Sequence, residues 1–322
     1  ACLLDLLFGD PRWFPHPVRL IGWFATQMEI FTRSLSLTEQ NAGRLTVLLI
    51  LLVTGTICAA ILFILSRFPL PVFLIGAAFI LYTTIAARDL IRHARRVYDA
   101  LETDLGKARR KVGMIVGRDT DQLDEQGIIR ACVESVAENM SDGIVAPLFW
   151  ATVGAVFALP AGGVWPVVCG VTAAMLYKGI NTMDSMFGYK NEQYRQFGSC
   201  PARLDDVVNF FPARISGLAL VLAAPLCGCS MKNSWSILRR DRAKHTSPNA
   251  GWPEAAVAGA LGLALGGDSR YFGDLTSKPV LGDLLYPSVV NHILQANRLI
   301  LAASLLCLFF FTAAYFFLWF FL

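Results

Sequence analysis

Uncharged apolar runs recur along this chain at the length a bilayer dictates. A hydrocarbon core about 30 Å thick takes roughly 20 apolar residues in helix, and four regions approach or exceed that: 45–66, 70–87, 144–177 and 299–322. The first two are separated only by Arg67-Phe68-Pro69, which predicts an antiparallel hairpin. The third carries no charge over 34 residues and is interrupted at Pro160-Ala161-Gly162-Gly163, so it reads as a hairpin or a re-entrant pair. Two weaker runs, 215–229 and 255–267, have the length of half-spans or interfacial helices. The pattern predicts an all-α, polytopic integral membrane protein. It is expected to be a helical bundle with polar cytoplasmic-side loops and short helices, embedded as a single domain over 1–322.

Composition agrees with the pattern. Hydrophobic residues make up 55% of the chain and charged residues 16%, where a soluble domain carries about 25% charged. The net charge of +4 comes without a long basic run interleaved with aromatics, which argues against nucleic acid as a partner. Eight cysteines are scattered without a CxxC pair; they read as small hydrophobes, and Cys227-x-Cys229 alone is weak support for metal or redox chemistry. The start, Ala-Cys-Leu-Leu-Asp-Leu-Leu-Phe, lacks a basic opening and a small-residue cleavage site. It reads as the tail of an apolar helix rather than a signal peptide.

The polar residues decide what kind of membrane protein this is. An ion-coupled transporter keeps ionisable groups inside its spans, and the four clear runs hold none. Charge concentrates instead in 88–142, with 10 Lys/Arg and 11 Asp/Glu. The chemistry is therefore expected at the membrane surface. Segment 231–254 carries Lys232, Arg239, Arg240, Arg242 and Lys244 against Asp241 and Glu254, which assigns it to the cytoplasm by the positive-inside rule. The active face is expected on that side of the membrane, shared with 88–142. Parity then requires one segment to be re-entrant or interfacial, and Pro225 with Gly228 single out 215–229.

Several polar constellations could carry chemistry, and each has a structural alternative. Gly9-Asp10-Pro11-Arg12-Trp13-Phe14-Pro15-His16-Pro17-Val18-Arg19 is a proline-stiffened loop presenting Asp10, Arg12, His16 and Arg19, or an interfacial turn anchored by Trp13 on lipid phosphate. Arg130, Glu134 and Glu138 fall at i, i+4 and i+8 on one helix face, and Asp142 extends the row before Gly143 is expected to stop the helix. Such an acidic stripe suits hydrated Mg2+ with nucleotide phosphates, or it is a solvated face. Lys178, Asn181, Asp184 and Ser185 share a face after the long apolar run, where the lysine serves a site or snorkels. Asp205 and Asp206 lie between Arg203 and Asn209 and hold a metal or cap a helix. Arg239 to Glu254, with His245, Ser247, Asn249 and Trp252, offers phosphate-binding guanidiniums or an anchor on anionic lipid. Walker A, HExxH, GxSxG and GxGxxG patterns do not occur.

Taken in order, the strings LLDLLFGDPRWFPHPVRLIG, VGRDT, RACVESVAENMSDGIVAPLFW, KGINTMDSMFGYK, ARLDDVVNFFPARISG and HTSPNAGWPEAAVAGALGLALGG resemble the CbiB/CobD family of membrane-bound cobalamin-biosynthesis proteins. The likeness spans nearly the whole chain; its start looks clipped ahead of Ala1, and the stretch 151–171 looks long. The resemblance implies an acid–amine ligase that joins adenosylcobyric acid, through the propionate at the corrin f position, to (R)-1-amino-2-propanol phosphate or ethanolamine phosphate. ATP is consumed and adenosylcobinamide phosphate is the product.

A carboxylate is unreactive toward amines at neutral pH. ATP must activate it, most simply as an acyl phosphate, and Mg2+ with cationic groups must hold the phosphates. On that reading Glu134, Glu138 and Asp142, with Asp205 and Asp206, hold Mg2+. Arg118, Asp119, Arg203, Arg242, Ser247 and Asn249 bind ATP or the amino-alcohol phosphate, with Lys178 also on phosphate. Glu138, His245, Glu254 and Lys178 form the catalytic set, His245 or Glu254 serving as base. The alternative is a non-catalytic corrinoid-binding scaffold or transporter that gathers other enzymes of the pathway at the membrane.

Overall fold

The computed structural model describes residues 1–10, 16–189, 191–271 and 274–321; Arg12, Trp13 and Lys190 lie outside the described residues. In chain order the helices begin with α1 (Cys2–Phe8), α2 (Pro17–Arg33), α3 (Glu39–Leu65), α4 (Leu70–Tyr82), α5 (Ala87–Leu101), α6 (Leu105–Val112) and α7 (Glu125–Met140). They continue with α8 (Ala146–Phe157), α9 (Trp165–Phe187), α10 (Ser199–Val208), α11 (Phe210–Ala223), α12 (Met231–Asp241), α13 (Gly251–Leu261) and, after one hairpin of β1 (Leu265–Tyr271) and β2 (Asp274–Leu281), α14 (Asn291–Phe321). Five stretches are long and apolar enough to cross a membrane: Glu39–Leu65, Leu70–Leu101, Glu125–Phe157, Phe210–Cys227 and Asn291–Phe321. Large apolar side chains such as Leu52, Ile61, Phe310 and Phe317 stand exposed on them, as spans facing lipid require. The protein is an all-α, polytopic membrane protein whose described sheet is a single two-stranded ribbon.

The described residues divide into two compact units, 1–86 with 146–209 and 310–322, and 87–145 with 210–309. In the first, α8 and α9 form a hairpin about a turn where Gly162 and Gly163 take φ of 64° and 55°, and Pro166 sits in the first turn of α9. The two helices approach closely through small residues: a Cβ on Gly154 would stand 2.6 Å from the Cys169 carbonyl oxygen, and one on Gly170 2.6 Å from that of Ala151. The α9 helix runs on past the apolar segment, so Lys178, Asn181, Asp184 and Ser185 occupy its final turns.

In the second unit, Asp104 and Asp124 cap α6 and α7 by accepting main-chain N–H bonds at 2.7 Å. Three features depart from the sequence reading. Gly143 does not stop α7: it lacks the left-handed φ a terminating glycine takes, and Ser141–Val145 instead forms a π-helical turn leading into α8, which breaks the strict four-residue spacing from Glu138 to Asp142. Segment 215–229 belongs to a longer helical stretch, Phe210–Cys227, ended by Gly228 at φ 72°. Segment 255–267 is a buried helix, α13, followed by a strand. Gly262, Gly266 and Gly267 all take positive φ and turn the chain into the ribbon, where Asp268 pairs with Ser277 and a bulge falls at Leu265/Gly267. The base of the ribbon is fixed by Asp241, fully buried, whose carboxylate accepts from Arg240, from Lys244 at 2.6 Å and from the Gly282 N–H at 2.8 Å.

Candidate functional site

The second unit gathers carboxylates and cations around α7, α13 and the ribbon. Arg118 donates to Glu134 Oε2 at 2.6 Å and to Ser269 Oγ at 2.6 Å, while Glu134 Oε1 accepts the Gly266 N–H at 2.6 Å. Both charged side chains are at least nine-tenths buried. The ribbon is further held by the Asp119 N–H, which donates to the Arg270 carbonyl at 2.9 Å; Asp119 also lines a cavity of about 300 Å3 with Asp121, Asp268 and Arg270.

From α13, the buried Glu254 places Oε1 3.7 Å from His245 Nε2. His245 Nδ1 lies 2.9 Å from the Ser247 N–H and 3.3 Å from the Ser247 carbonyl oxygen, and the shorter contact governs. That makes Nδ1 an acceptor, so the proton of the neutral imidazole sits on Nε2, toward Glu254. Burial pushes the Glu254 carboxyl well above the usual carboxylate range; Glu134 and Glu138 add repulsion, and Lys278 and Arg118 oppose it. Burial likewise lowers the His245 pKa, with Lys278 adding to the fall and Glu134 opposing it. Glu138 is exposed one turn beyond Glu134 on α7, and Asp142 is half-buried in the π turn.

The chain between α12 and α13 is tightly turned. Ser247 Oγ accepts the N–H groups of Asn249 and Ala250 at 3.3 and 3.2 Å, closing the turn that precedes α13, and Asn249 Oδ1 accepts from Arg214 at 3.3 Å. The guanidiniums of Arg214 and Arg242 each lie 5.0 Å from the Trp252 ring, and Arg242 also donates to carbonyls of its own helix end, Leu238 and Arg239.

The first unit holds a separate polar chain. Lys178 donates to Asn181 Oδ1 at 3.2 Å, Asn181 to Asp205 Oδ1 at 3.5 Å, Asn209 to Asp205 Oδ2 at 2.9 Å, and the Tyr177 hydroxyl to Asn209 Oδ1 at 3.0 Å. Burial raises the Asp205 pKa, while the two amide hydrogen bonds and Lys178 act the other way and Asp206 adds to the rise. Arg203 and Asp206 are exposed on the same helix, α10.

Within the second unit, then, Arg118, Glu134, His245 and Glu254 come together with Glu138 near; within the first, Lys178 and Asp205 do. Ser269, the Gly266 N–H and Lys278 belong to the cluster and were missed in sequence, where 255–267 read as one apolar run. Phe272-Gly273-Asp274 between two short polar-rich segments was the available turn signal. Among the described residues no group of three or more His, Cys, Asp and Glu is set to hold a metal ion.

Residues 1–300 match the family described as CobD/Cbib protein. The chain is 47% identical to a cobalamin biosynthesis protein CobD of Leptospira interrogans over 316 residues, 98% of this chain and 96% of that one. It is 47% identical to the protein of the same name from Desulfotalea psychrophila, covering 95% and 93%, and 41% identical to that of Clostridium perfringens, covering 94% and 92%. No solved structure matches the chain.

Proposed function

Because the chain belongs to the CobD/CbiB family of cobalamin biosynthesis proteins, we propose that it is the acid–amine ligase that couples adenosylcobyric acid to an amino-alcohol phosphate at the expense of ATP. The observation that carries this reading is Glu254. A ligase must take a proton from an ammonium group near neutral pH, and a carboxylate whose proton affinity is raised by burial and by two neighbouring acids is suited to that task. His245 Nε2 stands 3.7 Å from it as its polar neighbour.

Magnesium fits the remaining acids when it arrives with nucleotide phosphates, since it then needs only one or two carboxylates from the protein. Glu138 and Asp142 meet that need. Each oxygen of Glu134 already accepts a hydrogen bond, so its part is to hold Arg118 and the ribbon in place. Asp205, bracketed by two amides, and Asp206 are assigned to the polar chain of the first unit. Bound magnesium would neutralise phosphate charge and favour transfer to the corrin carboxylate. Arg118, Asp119 and Arg242, with Ser247 and Asn249, are the groups of the second unit to orient phosphates, while Arg203 belongs to the first. The reading puts the active face in the cytoplasm of the bacterial inner membrane, where ATP is available.

The test uses protein purified in detergent, given ATP, Mg2+, adenosylcobyric acid and (R)-1-amino-2-propanol phosphate with no other protein. Mass spectrometry should find adenosylcobinamide phosphate. Corrinoid binding without product would overturn the ligase in favour of a non-catalytic scaffold.

A further inference from the structure

The first unit contains a cavity of about 350 Å3 lined by Asp10, His16, Val18, Arg19, residues 83–86 and Lys178. Its volume lies at the lower end of the range of about 300–1,000 Å3 that holds small ligands, far too small for a corrin. Its polar groups fall into two kinds. Arg19 and Lys178 are cations with several donors each. Asp10 and the hydroxyl oxygens of Thr83 and Thr84 are acceptors, because both threonine protons are already given to carbonyls, Thr83 to Ile80 and Thr84 to Leu81, at 2.7 Å. His16 is 5% exposed. Its Nε2 lies 3.2 Å from Asp10 Oδ1, yet among the described residues neither atom completes a hydrogen bond, and buried polar atoms are rarely left so.

We infer that this cavity binds a short phosphomonoester bearing an amine, its phosphate on Arg19 and Lys178 and its ammonium on Asp10 and the two threonine oxygens. The assignment rests on the ligase reading only for its role: of the three substrates proposed there, the amino-alcohol phosphate is the one this volume and this arrangement of donors and acceptors admit. A lipid headgroup such as phosphatidylethanolamine shares the chemistry, so the test separates the two sources.

Calorimetry with detergent-purified protein should show ethanolamine phosphate binding without ATP or corrinoid. Asp10→Asn should weaken ethanolamine phosphate about tenfold or more, as loss of a hydrogen bond to a charged group does, while inorganic phosphate binding stays within about twofold. Arg19→Ala should weaken both ligands, with Arg19→Lys restoring most of the affinity and showing that the fold is intact. Absence of binding, equal weakening of both ligands by Asp10→Asn, or no effect of Arg19→Ala would overturn the assignment. Competition by nanodiscs containing phosphatidylethanolamine, but not by phosphatidylglycerol ones, would give the cavity to lipid and overturn the free phosphomonoester. If the binding pattern holds but no ligation occurs, the ligase reading falls and the cavity stands. If ligation proceeds and Arg19→Ala leaves the KM for the amino-alcohol phosphate unchanged, the cavity assignment falls alone.

Discussion

Replacing Glu134 by alanine tests whether the second unit depends on its buried ion pair. The substitution deletes the partner of Arg118 at 2.6 Å and the acceptor of the Gly266 N–H at 2.6 Å. Arg118 Nε is already without a partner among the described residues, so the guanidinium would keep only Ser269. Removing one member of a buried pair costs about 3–5 kcal/mol, of which roughly 1–3 kcal/mol is the orphaned N–H. For a chain this long, unfolding entropy makes each kcal/mol worth roughly 1.5 °C, so Glu134→Ala should melt about 4–7 °C lower. Replacing both partners, Arg118→Met with Glu134→Leu, should recover much of that loss, because it leaves no buried charge. Scanning fluorimetry in one detergent on the parent, Glu134→Ala and the double variant reads this directly. A single Glu134→Ala variant melting within 1 °C (about 0.7 kcal/mol) of the parent would refute the argument.

Three further outcomes follow from the same geometry. Glu138→Gln should leave folding and membrane insertion intact and abolish ligation; ordinary turnover in that variant would remove Glu138 from the catalytic set. Glu254 has a folded-state pKa above its unfolded one, so its protonated form contributes stability at low pH that is lost as pH rises from the ordinary glutamate range through the raised value. Glu254→Gln should therefore match the parent in acid and become relatively more stable toward pH 8, and parallel pH–melting curves would contradict the assignment. Gly251→Ala puts a Cβ inside the van der Waals envelope of the Arg242 carbonyl oxygen and 2.8 Å from His245 Cβ; overpacking of this kind costs about 1–3 kcal/mol. A variant with unaltered melting temperature would show that the turn before α13 yields freely.

What could be read from sequence was the place of the apolar helices along the chain and the family. Uncharged segments of fixed length locate α3, α4, α8 and α14 because lipid imposes that length regardless of tertiary context. The polar site was legible residue by residue but not in its partnerships. Glu134 and Glu138 sit four residues apart on the same face, yet one is buried on Arg118 and the other exposed. That difference is made by the ribbon packing against α7, more than 130 positions away, and no local spacing encodes it. The ribbon itself was hidden because its first strand opens with glycines that continue the small-residue run of α13. Gly143 misled for a related reason: glycine permits a left-handed helix end without requiring one, and here the buried surroundings of Ser141 and Ile144 favour continuation.

The imidazole of His245 takes its orders from the peptide backbone. The donor that settles which ring nitrogen carries the hydrogen is the amide of residue 247, and nineteen of the twenty genetically encoded amino acids supply that amide unchanged. Drift at position 247 can remove the hydroxyl that closes the turn ahead of α13 and still leave the ring's protonation pattern as it was; only proline would erase it. The Gly266 amide serves Glu134 in the same way, but its position is not free to drift: a φ of 85° and the Pro279 carbonyl oxygen lying where a Cβ would go reserve it for glycine.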